Sequence, residues 1–399
     1  MRFRPVYGIL FLLLILSAPV FAQDDEVSEE EPKEKKWKEK IDFGGYVKYM
    51  NTNQFVTVKD IYTDNLIHNR LNFKYYPNSY WIFSIGMRNR IFYGETQKLN
   101  PFFADLIDHD PGAVDMSWNV LETNSLVINS TIDRANVEFN RGKWNVRLGR
   151  QRINWGMNLA WNPNDLFNAY NFIDFDYQER PGSDAVRVQY YNKPMSQIEL
   201  AYKPGEDLDH SIIAGLYKFN KKGYDFQFIG ANYFQDVVAG FGWAGNLKKI
   251  GFKGEATYFH PRRGFEDTTG VLSSSISFDY TFEKGLYINI AGLYNSHGST
   301  NTDLTQLQVT GSALSAKNLM PTQFAGFVQL AGSFNPIAGG GMSIMYLPSI
   351  NGVFLIPTLN YSIKENWDID FVGQILFSEV DSKFTNVSNA VFLRLRWSF

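Results

Sequence analysis

The sequence predicts an all-β protein: a transmembrane antiparallel β-barrel of about 18 strands (16–18). Three observations carry this prediction. Segments that alternate apolar and polar residues recur from Ile41 to Phe399, as in barrels whose apolar side chains face lipid and whose polar side chains face the lumen. Aromatic residues make up 16% of the chain. Short turns alternate with longer connections, which is the usual pattern of bacterial barrels.

The first residues predict export. Residues 1–4 are short and basic, residues 6–20 are almost wholly apolar, and Ala22 ends a small-residue cleavage signal. Residues 1–22 are therefore predicted to be a signal peptide. A membrane anchor is the alternative, but the apolar run between Pro5 and Pro19 is short for a spanning helix. The chain has no cysteine, which excludes a disulfide framework and thiolate metal sites.

Residues 23–40 are predicted to form a charged periplasmic N-terminal segment outside the barrel. An acidic block precedes a lysine-rich block there, a composition typical of a solvated tail, although a role in docking a periplasmic partner is the alternative. Removing Arg2 and Arg4 from the 38 basic residues leaves 36 against 41 acidic ones, a net charge of −5. This balance argues against a general nucleic-acid binder.

Residues 41–399 are predicted to form the barrel. Short turns are predicted at 77–79, 141–143, 193–194, 221–223, near 246, 283–285, 335–336 and 364–366. Longer connections are predicted at 52–65, 94–129, 154–184, 261–270 and 297–323. The short turns are expected to be periplasmic and the long loops extracellular. The connection at Gln235 is short for an outer loop, and Pro357 inside a strand lacks a ladder donor.

Aromatic residues mark the two rims of the predicted barrel. Strands that leave short turns begin with Trp81, Trp144, Tyr224 and Trp367, and the last strand reaches the same level at Trp397 and Phe399. These residues would form the inner aromatic girdle. Phe92, Tyr93, Phe259 and Phe377 would mark the outer girdle.

The last strand carries a second signal. Residues 391–399 alternate and end on a carboxy-terminal Phe, which resembles the terminal signal that the barrel-assembly machinery recognises. That machinery, together with outer-membrane lipid and lipopolysaccharide, is therefore an expected partner. An amphipathic last strand of a soluble β-sandwich is the alternative.

Alternation also assigns side chains to the lumen. The predicted pore-lining residues are Lys48, His68, Arg70, Lys74, Arg88, Arg90, Arg134, Glu138, Arg147, Arg150, Arg187, Arg394 and Arg396. Strict alternation would point Arg150 and Arg152 towards lipid, so their inward orientation requires a β-bulge at Gly149. Most of these residues are basic and form one continuous wall once the last strand closes beside the first.

The facing wall is predicted to be neutral to acidic, with Asp225, Asp279, Asp368 and Asp370 pointing inward. A basic wall opposite such a surface favours anionic solutes and orients dipolar ones. The alternative is that the arginines pair with acidic residues of an inward-folded loop.

The connection 154–184 is far longer than an ordinary loop, and long loops on rigid sheets are usually functional. It is expected to sit over or inside the barrel. The residues predicted to form its constriction are Trp155, Trp161, Asp165, Phe167 and Asp184. The aromatic side chains could stack on a sugar ring or pack against the barrel wall.

Three runs in this region resemble a known pattern: Gly149-Arg-Gln-Arg-Ile-Asn-Trp-Gly156, Trp161-Asn-Pro-Asn-Asp-Leu-Phe-Asn168 and Arg180-Pro-Gly-Ser-Asp-Ala185. Together they resemble porin-like outer-membrane barrels related to the alginate-export family. The resemblance implies a channel of roughly 18 strands, and some such channels have arginine-rich pores for acidic sugars. The chain departs from the pattern at Ala169, where a proline would be expected.

Catalysis is not predicted. The histidines are scattered at positions 68, 109, 210, 260 and 297, and none has metal-ligand spacing to another. His210 and His297 each follow or precede a serine, but adjacent residues on a strand point to opposite faces. No phosphate-binding glycine loop is evident, so no cofactor is expected.

The sequence thus predicts a porin-like channel in the outer membrane of a Gram-negative bacterium, with a periplasmic N-terminus. It would pass small polar, predominantly anionic solutes. The alternative is a plugged barrel that serves as a scaffold or export partner of a periplasmic complex.

Overall fold

The computed structural model describes residues 37–55, 60–169, 180–300, 314–380 and 382–399. The predicted signal peptide (1–22) and most of the charged segment (23–40) lie outside these residues. The chain divides into Met1–Lys38 and a compact unit, Glu39–Phe399, that contains the barrel. Within the described ranges, no helix is long and apolar enough to cross a membrane.

The compact unit is built almost entirely of strands. In chain order they are β1 (Ile41–Phe55), β2 (Ile61–Tyr75), β3 (Trp81–Gly94), β4 (Ser117–Glu122), β5 (Leu126–Arg141), β6 (Trp144–Gln151), β7 (Ser183–Lys193), β8 (Ser196–Lys203), β9 (Ile212–Lys221), β10 (Tyr224–Tyr233), β11 (Asp236–Leu247), β12 (Ile250–Pro261), β13 (Val271–Thr281), β14 (Tyr287–Asn295), β15 (Phe324–Asn335), β16 (Ala338–Leu347), β17 (Gly352–Lys364), β18 (Trp367–Val380) and β19 (Lys383–Ser398). Two short helices, α1 (Glu95–Leu99) and α2 (Phe103–Asp108), precede β4. Short 3-10 helices lie at Trp37–Lys40, Leu208–His210 and Pro348–Ile350.

The sheet closes on itself. Strand β1 pairs antiparallel with both β2 and β19, and β3 pairs with β5. Counting the described residues, 18 strands, all except β4, form one closed antiparallel barrel, as the sequence predicts. The chain end completes the closure, because the backbone N–H of Phe399 donates to the carbonyl of Gly45 at 2.9 Å and the N–H of Gly45 donates back at 2.9 Å.

The two faces of the wall differ as alternation predicts. On β3, Ile85 is 51% exposed on the outer face, whereas Arg88 is buried in the interior. Trp81, Trp144 and Trp397 are exposed near the short turns, where an inner aromatic girdle was expected.

The predicted outer girdle is partly wrong. Phe259 is fully buried, and the ring of Phe92 packs against Phe103 of α2 at a centroid distance of 5.3 Å. The reason is parity: Phe92 shares its face with Arg90, and Phe259 shares its face with Glu255. Both rings therefore point into the barrel.

Short connections lie on the rim that also holds the start of β1 and the end of β19. Lys222 and Gly223, for example, join β9 to β10 with positive φ angles of 53° and 79°, as two-residue hairpins require. Most connections on the opposite rim are longer. The predicted loop 52–65 is largely strand, because β1 extends to Phe55 and β2 begins at Ile61.

The set of strands that forms the barrel wall changes where β6 ends. Strand β6 stops at Gln151, although its neighbour β5 begins at Leu126 at the far rim. Strand β4 (Ser117–Glu122) takes the place of β6 there, because it pairs with the Val127–Thr131 part of β5. The predicted connection 94–129 therefore contains a piece of the wall.

The predicted bulge at Gly149 is absent from the described ladders. Strand β6 pairs with β5 and β7 through Gly149 without a register shift, although Gly149 has a φ of +110°. The register shift lies in β5 instead, where the pairing with β3 skips Asp133.

A first prediction concerns the closing strand. Phe399→Ala should reduce the amount of folded barrel in the outer membrane and lower its stability by about 1 kcal/mol, because the ring lies 6.1 Å from Phe43 and 5.2 Å from Trp397. Heat-modifiable migration in SDS gels measures the folded fraction. The control is Phe334→Ala at the exposed end of β15, and equal behaviour of the two variants would contradict the prediction.

Candidate pore and its constriction

Basic side chains form two neighbouring rows on the lumen-facing side of β19, β1, β2 and β3. Lys48 lies opposite Arg396 on one side and His68 on the other, and His68 lies opposite Arg90. One step nearer the short turns, Arg70 lies opposite Arg88. All these cations were predicted from alternation, and we call the surface that they form the basic wall.

His68 stands in the middle of this wall. It is 2% exposed, and neither ring nitrogen has a hydrogen-bond partner among the described residues. The edge of its ring contacts Tyr46 at a centroid distance of 5.4 Å. His68 is thus enclosed by neighbouring side chains and does not face an open lumen.

Several lumen-facing arginines are neutralised by acids on other barrel strands. Arg70 pairs with Asp133 at 2.5 Å, Arg147 pairs with Glu138, and Arg187 pairs with Glu199 at 2.7 Å. The acids belong to barrel strands, so the expected pairing with acids of an inward loop does not describe these three pairs.

The predicted position of Asp368 and Asp370 is wrong. Strand β18 lies directly beside β19, so these acids sit opposite Arg396 and Arg394 and pair with them at 2.8 and 2.9 Å. They therefore neutralise the end of the basic wall and do not form a facing acidic wall.

Arg150 is a structural residue and does not line the pore. Its guanidinium is buried and contacts Asp184 at 2.7 Å and Asp110 at 2.6 Å. It also donates to the carbonyls of Ile132 and Val114. Because Asp110 and Val114 belong to the segment before β4, Arg150 and Asp184 fasten that segment to the ends of β6 and β7. Asp184, predicted to form the constriction, belongs to this cluster.

The loop after β6 runs inside the barrel, as predicted. We call residues 152–182 the constriction loop; residues 170–179, which include Asp174, Asp176 and Glu179, lie outside the described residues. Its described part lies against the side of the lumen remote from the basic wall. Asn158 donates to Ser275 of β13 at 2.6 Å, and Asn164 donates to the carbonyl of Phe241 of β11 at 3.1 Å.

One buried carboxylate organises this contact. Glu255 of β12 is 1% exposed and accepts hydrogen bonds from the backbone N–H groups of Met157, Asn158 and Asn164. Three backbone donors of the loop thus converge on one side chain of the wall. Glu255 therefore fixes the loop to the wall.

A second carboxylate fixes the start of the loop. Glu199 of β8 accepts a hydrogen bond from the indole N–H of Trp155 at 2.8 Å while it is paired with Arg187. The ring of Phe167 meets Trp155 edge-on at 5.2 Å, and Trp161 meets Phe327 of β15 at 6.1 Å. All three loop aromatics are buried, so they pack against the wall and leave no open face for a sugar ring.

Asp165 is the unusual member of the loop. It is 1% exposed, and neither carboxylate oxygen has a hydrogen-bond partner among the described residues. Burial raises the pKa of Asp165 to about 7; the charges of Arg152 and Arg180 and the nearby backbone N–H groups of Trp155 and Asn168 oppose this rise.

A vestibule remains open beside the basic wall. It has a volume of about 790 Å³ and extends inward from the short-turn rim. Its lining includes the cations Arg70, Lys74, Arg134, Arg147, Arg152 and Arg396 and the carboxylates Asp42 and Glu138. The predicted pore-lining residues therefore separate into this vestibule and the more enclosed positions near Lys48.

The segment before β4 covers the basic wall above the vestibule. Arg90 donates to the side chain of Asn129 at 2.7 Å and to the carbonyl of Ile107, at the end of α2, at 3.4 Å.

Sequence reasoning missed Glu199 and Glu255. Arg152 lines the vestibule without the bulge at Gly149 that its inward orientation was expected to require. A signal for the two anchors exists: β9 places Ile212, Ala214 and Leu216 on its inner face, where they are buried. Apolar residues on both faces of a strand indicate that something covers the inner face. Acidic residues on nearby strands, such as Glu199 and Glu255, are then candidates to bind the segment that covers β9.

No family model matches the sequence, and no characterised protein matches it either. The fold is similar to solved structures. OccAB1 of Acinetobacter baumannii is 9% identical with a TM-score of 0.53, over 93% of this chain and 99% of that one. OccK9 (OpdG) of Pseudomonas aeruginosa is 9% identical with a TM-score of 0.58, over 92% and 100%. OccD3 (OpdP) of the same species is 9% identical with a TM-score of 0.52, over 90% and 91%.

These similarities concern the fold: a closed antiparallel barrel of 18 strands, of the type found in Occ and Opd outer-membrane porins. The similarity supports a porin-like barrel and does not extend to the alginate-export family specifically.

A second prediction tests the anchor of the loop. Glu255→Gln should lower barrel stability by about 1.5–3 kcal/mol, because a neutral amide accepts the three backbone N–H groups less well and turns its own NH₂ towards donors. The midpoint temperature of the gel-mobility shift measures this loss. Glu365→Gln in an exposed turn is the control, and an unchanged midpoint in Glu255→Gln would contradict the role of this anchor.

A third prediction tests whether Arg150 stabilises the barrel without contributing to its ion selectivity. Arg150→Met should cost about 3–5 kcal/mol, since it leaves Asp110 and Asp184 buried without their cation. The folded fraction should nevertheless keep the wild-type ion selectivity. Bilayer recordings of refolded protein check this, with Arg141→Met in an exposed turn as the control. A large change in ion selectivity would contradict this structural role and indicate that Arg150 lines the pore.

Proposed function

We propose that this chain is a channel of the outer membrane of a Gram-negative bacterium and passes small polar, predominantly anionic solutes through its basic-walled lumen. The barrel fold and the open vestibule support this proposal. The N-terminus and the short turns would face the periplasm, as in bacterial barrels. The barrel-assembly machinery, outer-membrane lipid and lipopolysaccharide are its proposed partners.

The charge of the vestibule is the observation that carries the proposal. Six cations and two carboxylates line it. Clefts lined by one sign of charge raise the local concentration of oppositely charged solutes. The vestibule should therefore favour anions over cations of the same size.

Ion pairing reduces the excess of positive charge in the vestibule without removing it. Asp133, Glu138 and Asp368 each hold one of the vestibule cations, namely Arg70, Arg147 and Arg396. Lys74 has no carboxylate partner among the described residues. Arg134 donates to the backbone carbonyls of Asp133 and Arg180.

The constriction loop limits the size of the solute. Its contacts with Glu199 and Glu255 tie it to the wall, so passage through a fixed narrowing is favoured over movement of the whole loop. An acidic saccharide, which the resemblance to the alginate-export family suggests, would be recognised by charge, because Trp155, Trp161 and Phe167 are buried.

One observation favours the alternative of a plugged scaffold. Residues 153–168 fill part of the lumen and are mostly buried. A barrel that this loop closes completely would carry no current and could instead serve as a partner in export.

The fourth prediction addresses both functions. Purified mature protein in planar bilayers should give a steady current, and a salt gradient should give a reversal potential on the anion-selective side. The double variant Lys74→Gln/Arg134→Gln should lose about a third of its anion preference, because two of the six vestibule cations lose their charge. Lys284→Gln in an exposed turn is the control.

Absence of current in the wild-type chain, with current appearing after deletion of residues 155–177, would establish the plugged barrel. A cation-selective current would instead contradict the anionic solute while leaving the channel in place.

A further inference from the structure

Arg152 differs from the other arginines of the vestibule. It follows β6 directly and lines the vestibule where the constriction loop begins. Its guanidinium makes no hydrogen bond or ion pair with another described residue, and its Nε is buried without a partner. Arg70, Arg147 and Arg396, in contrast, are held by carboxylates.

Asp165 lies on the other side of the same loop. Buried carboxylates are normally paired or hydrogen-bonded, yet both of its oxygens lack a hydrogen-bond partner within the described ranges. The cations whose charge reaches it are Arg152 and Arg180. A buried acid that meets only the backbone N–H groups of Trp155 and Asn168, and an arginine without an acid, thus share one loop.

The loop holds Asp165 in place. Its neighbour Asn164 is bound to Glu255 at 2.9 Å and to Thr257 at 2.6 Å. Three residues later, the side chain of Asn168 accepts from the N–H of Ile153 at 2.9 Å and donates to the carbonyl of Pro181 at 2.8 Å. Asp165 is therefore fixed, whereas no hydrogen bond or ion pair with another described residue holds the guanidinium of Arg152.

Other titratable groups face Asp165 from the wall. Glu255 of β12 and Tyr233 of β10 both interact electrostatically with the carboxylate of Asp165. Glu255 is occupied by three backbone N–H groups, and Tyr233 lies in the apolar cluster with Phe259. Neither supplies the positive charge that an ionised Asp165 needs, so Arg152 and Arg180 carry that role among the described residues.

We propose that Arg152 is a specificity-determining residue of the pore and that Asp165 is its positioning residue. When ionised, Asp165 draws the guanidinium towards the loop and out of the vestibule. When Asp165 is protonated, the guanidinium extends into the vestibule and adds to the attraction for anions. This inference rests on the proposed function, because it presupposes that solutes pass through the vestibule.

The direction of the pH effect follows from the burial of Asp165. Its pKa is raised to about 7, so the carboxylate gains its proton as the pH falls from 8 to 6. Anion selectivity should therefore increase towards acidic pH. An Asp with an ordinary pKa near 4 would give no change in this interval.

The test is the reversal potential in a potassium chloride gradient, measured at pH 6 and pH 8. The wild-type ratio of chloride to potassium permeability should be about twofold higher at pH 6, which corresponds to a change of about 0.4 kcal/mol. Asp165→Asn should show the pH 6 value at both pH values. Arg152→Gln should show a lower ratio without pH dependence, while Arg152→Lys should retain the pH dependence.

Asp207→Asn, in an exposed loop next to His210, is the matched control and should behave as the wild type. An unchanged pH dependence in Asp165→Asn, or unchanged selectivity in Arg152→Gln, would overturn the inference. If Asp165→Asn fails to fold, the comparison of Arg152→Gln with Arg152→Lys decides. Wild-type selectivity for anions that does not vary with pH would leave the proposed function intact and remove only this inference; absence of anion selectivity at both pH values would remove both.

Discussion

A closed sheet in lipid has to pair every backbone N–H and C=O group within itself, because hydrocarbon offers no alternative partner. This constraint explains the most irregular part of the barrel. Strand β6 leaves the wall at Gln151 to begin the constriction loop, and the exposed edge of β5 would otherwise remain unpaired. Strand β4 takes over that edge. The cluster of Arg150 with Asp110 and Asp184 then holds the replacement in position.

The same departure divides the interior into two parts of different character. On one side, buried apolar side chains of β9, β10 and β12, among them Ile212, Ile229 and Phe259, form one cluster with Trp155 and Phe167 of the constriction loop. On the other side, β1 to β3 keep charged inner faces. The loop thus removes one wall from contact with solutes and leaves the basic wall and its vestibule as the available surface. The electrostatic asymmetry of the lumen arises from what covers each wall as much as from the residues of the walls themselves.

Much of the barrel follows from the sequence because its rules are local. Alternation and turn residues predict strands such as β3 and the short hairpins, and the last strand was placed correctly beside the first. Phe92 and Phe259 were misassigned because position near a rim was given more weight than strand parity. Arg150 could not be assigned by local rules, since its partner Asp110 lies 40 residues away. Glu255 likewise acts on Met157, 98 residues earlier in the chain.

The pairing of β1 with β19 also has a consequence for biogenesis. The first strand cannot find its final neighbour until the last residue of the chain has been made, so a nascent or truncated chain always presents two unsatisfied edges. Such edges are templates for aggregation, and contacts between the two ends of a chain form slowly. In the proposed outer-membrane setting, such a chain therefore depends on protection in the periplasm until its last strand has been made. Loss of even the final strand should direct it to degradation rather than to a smaller working barrel.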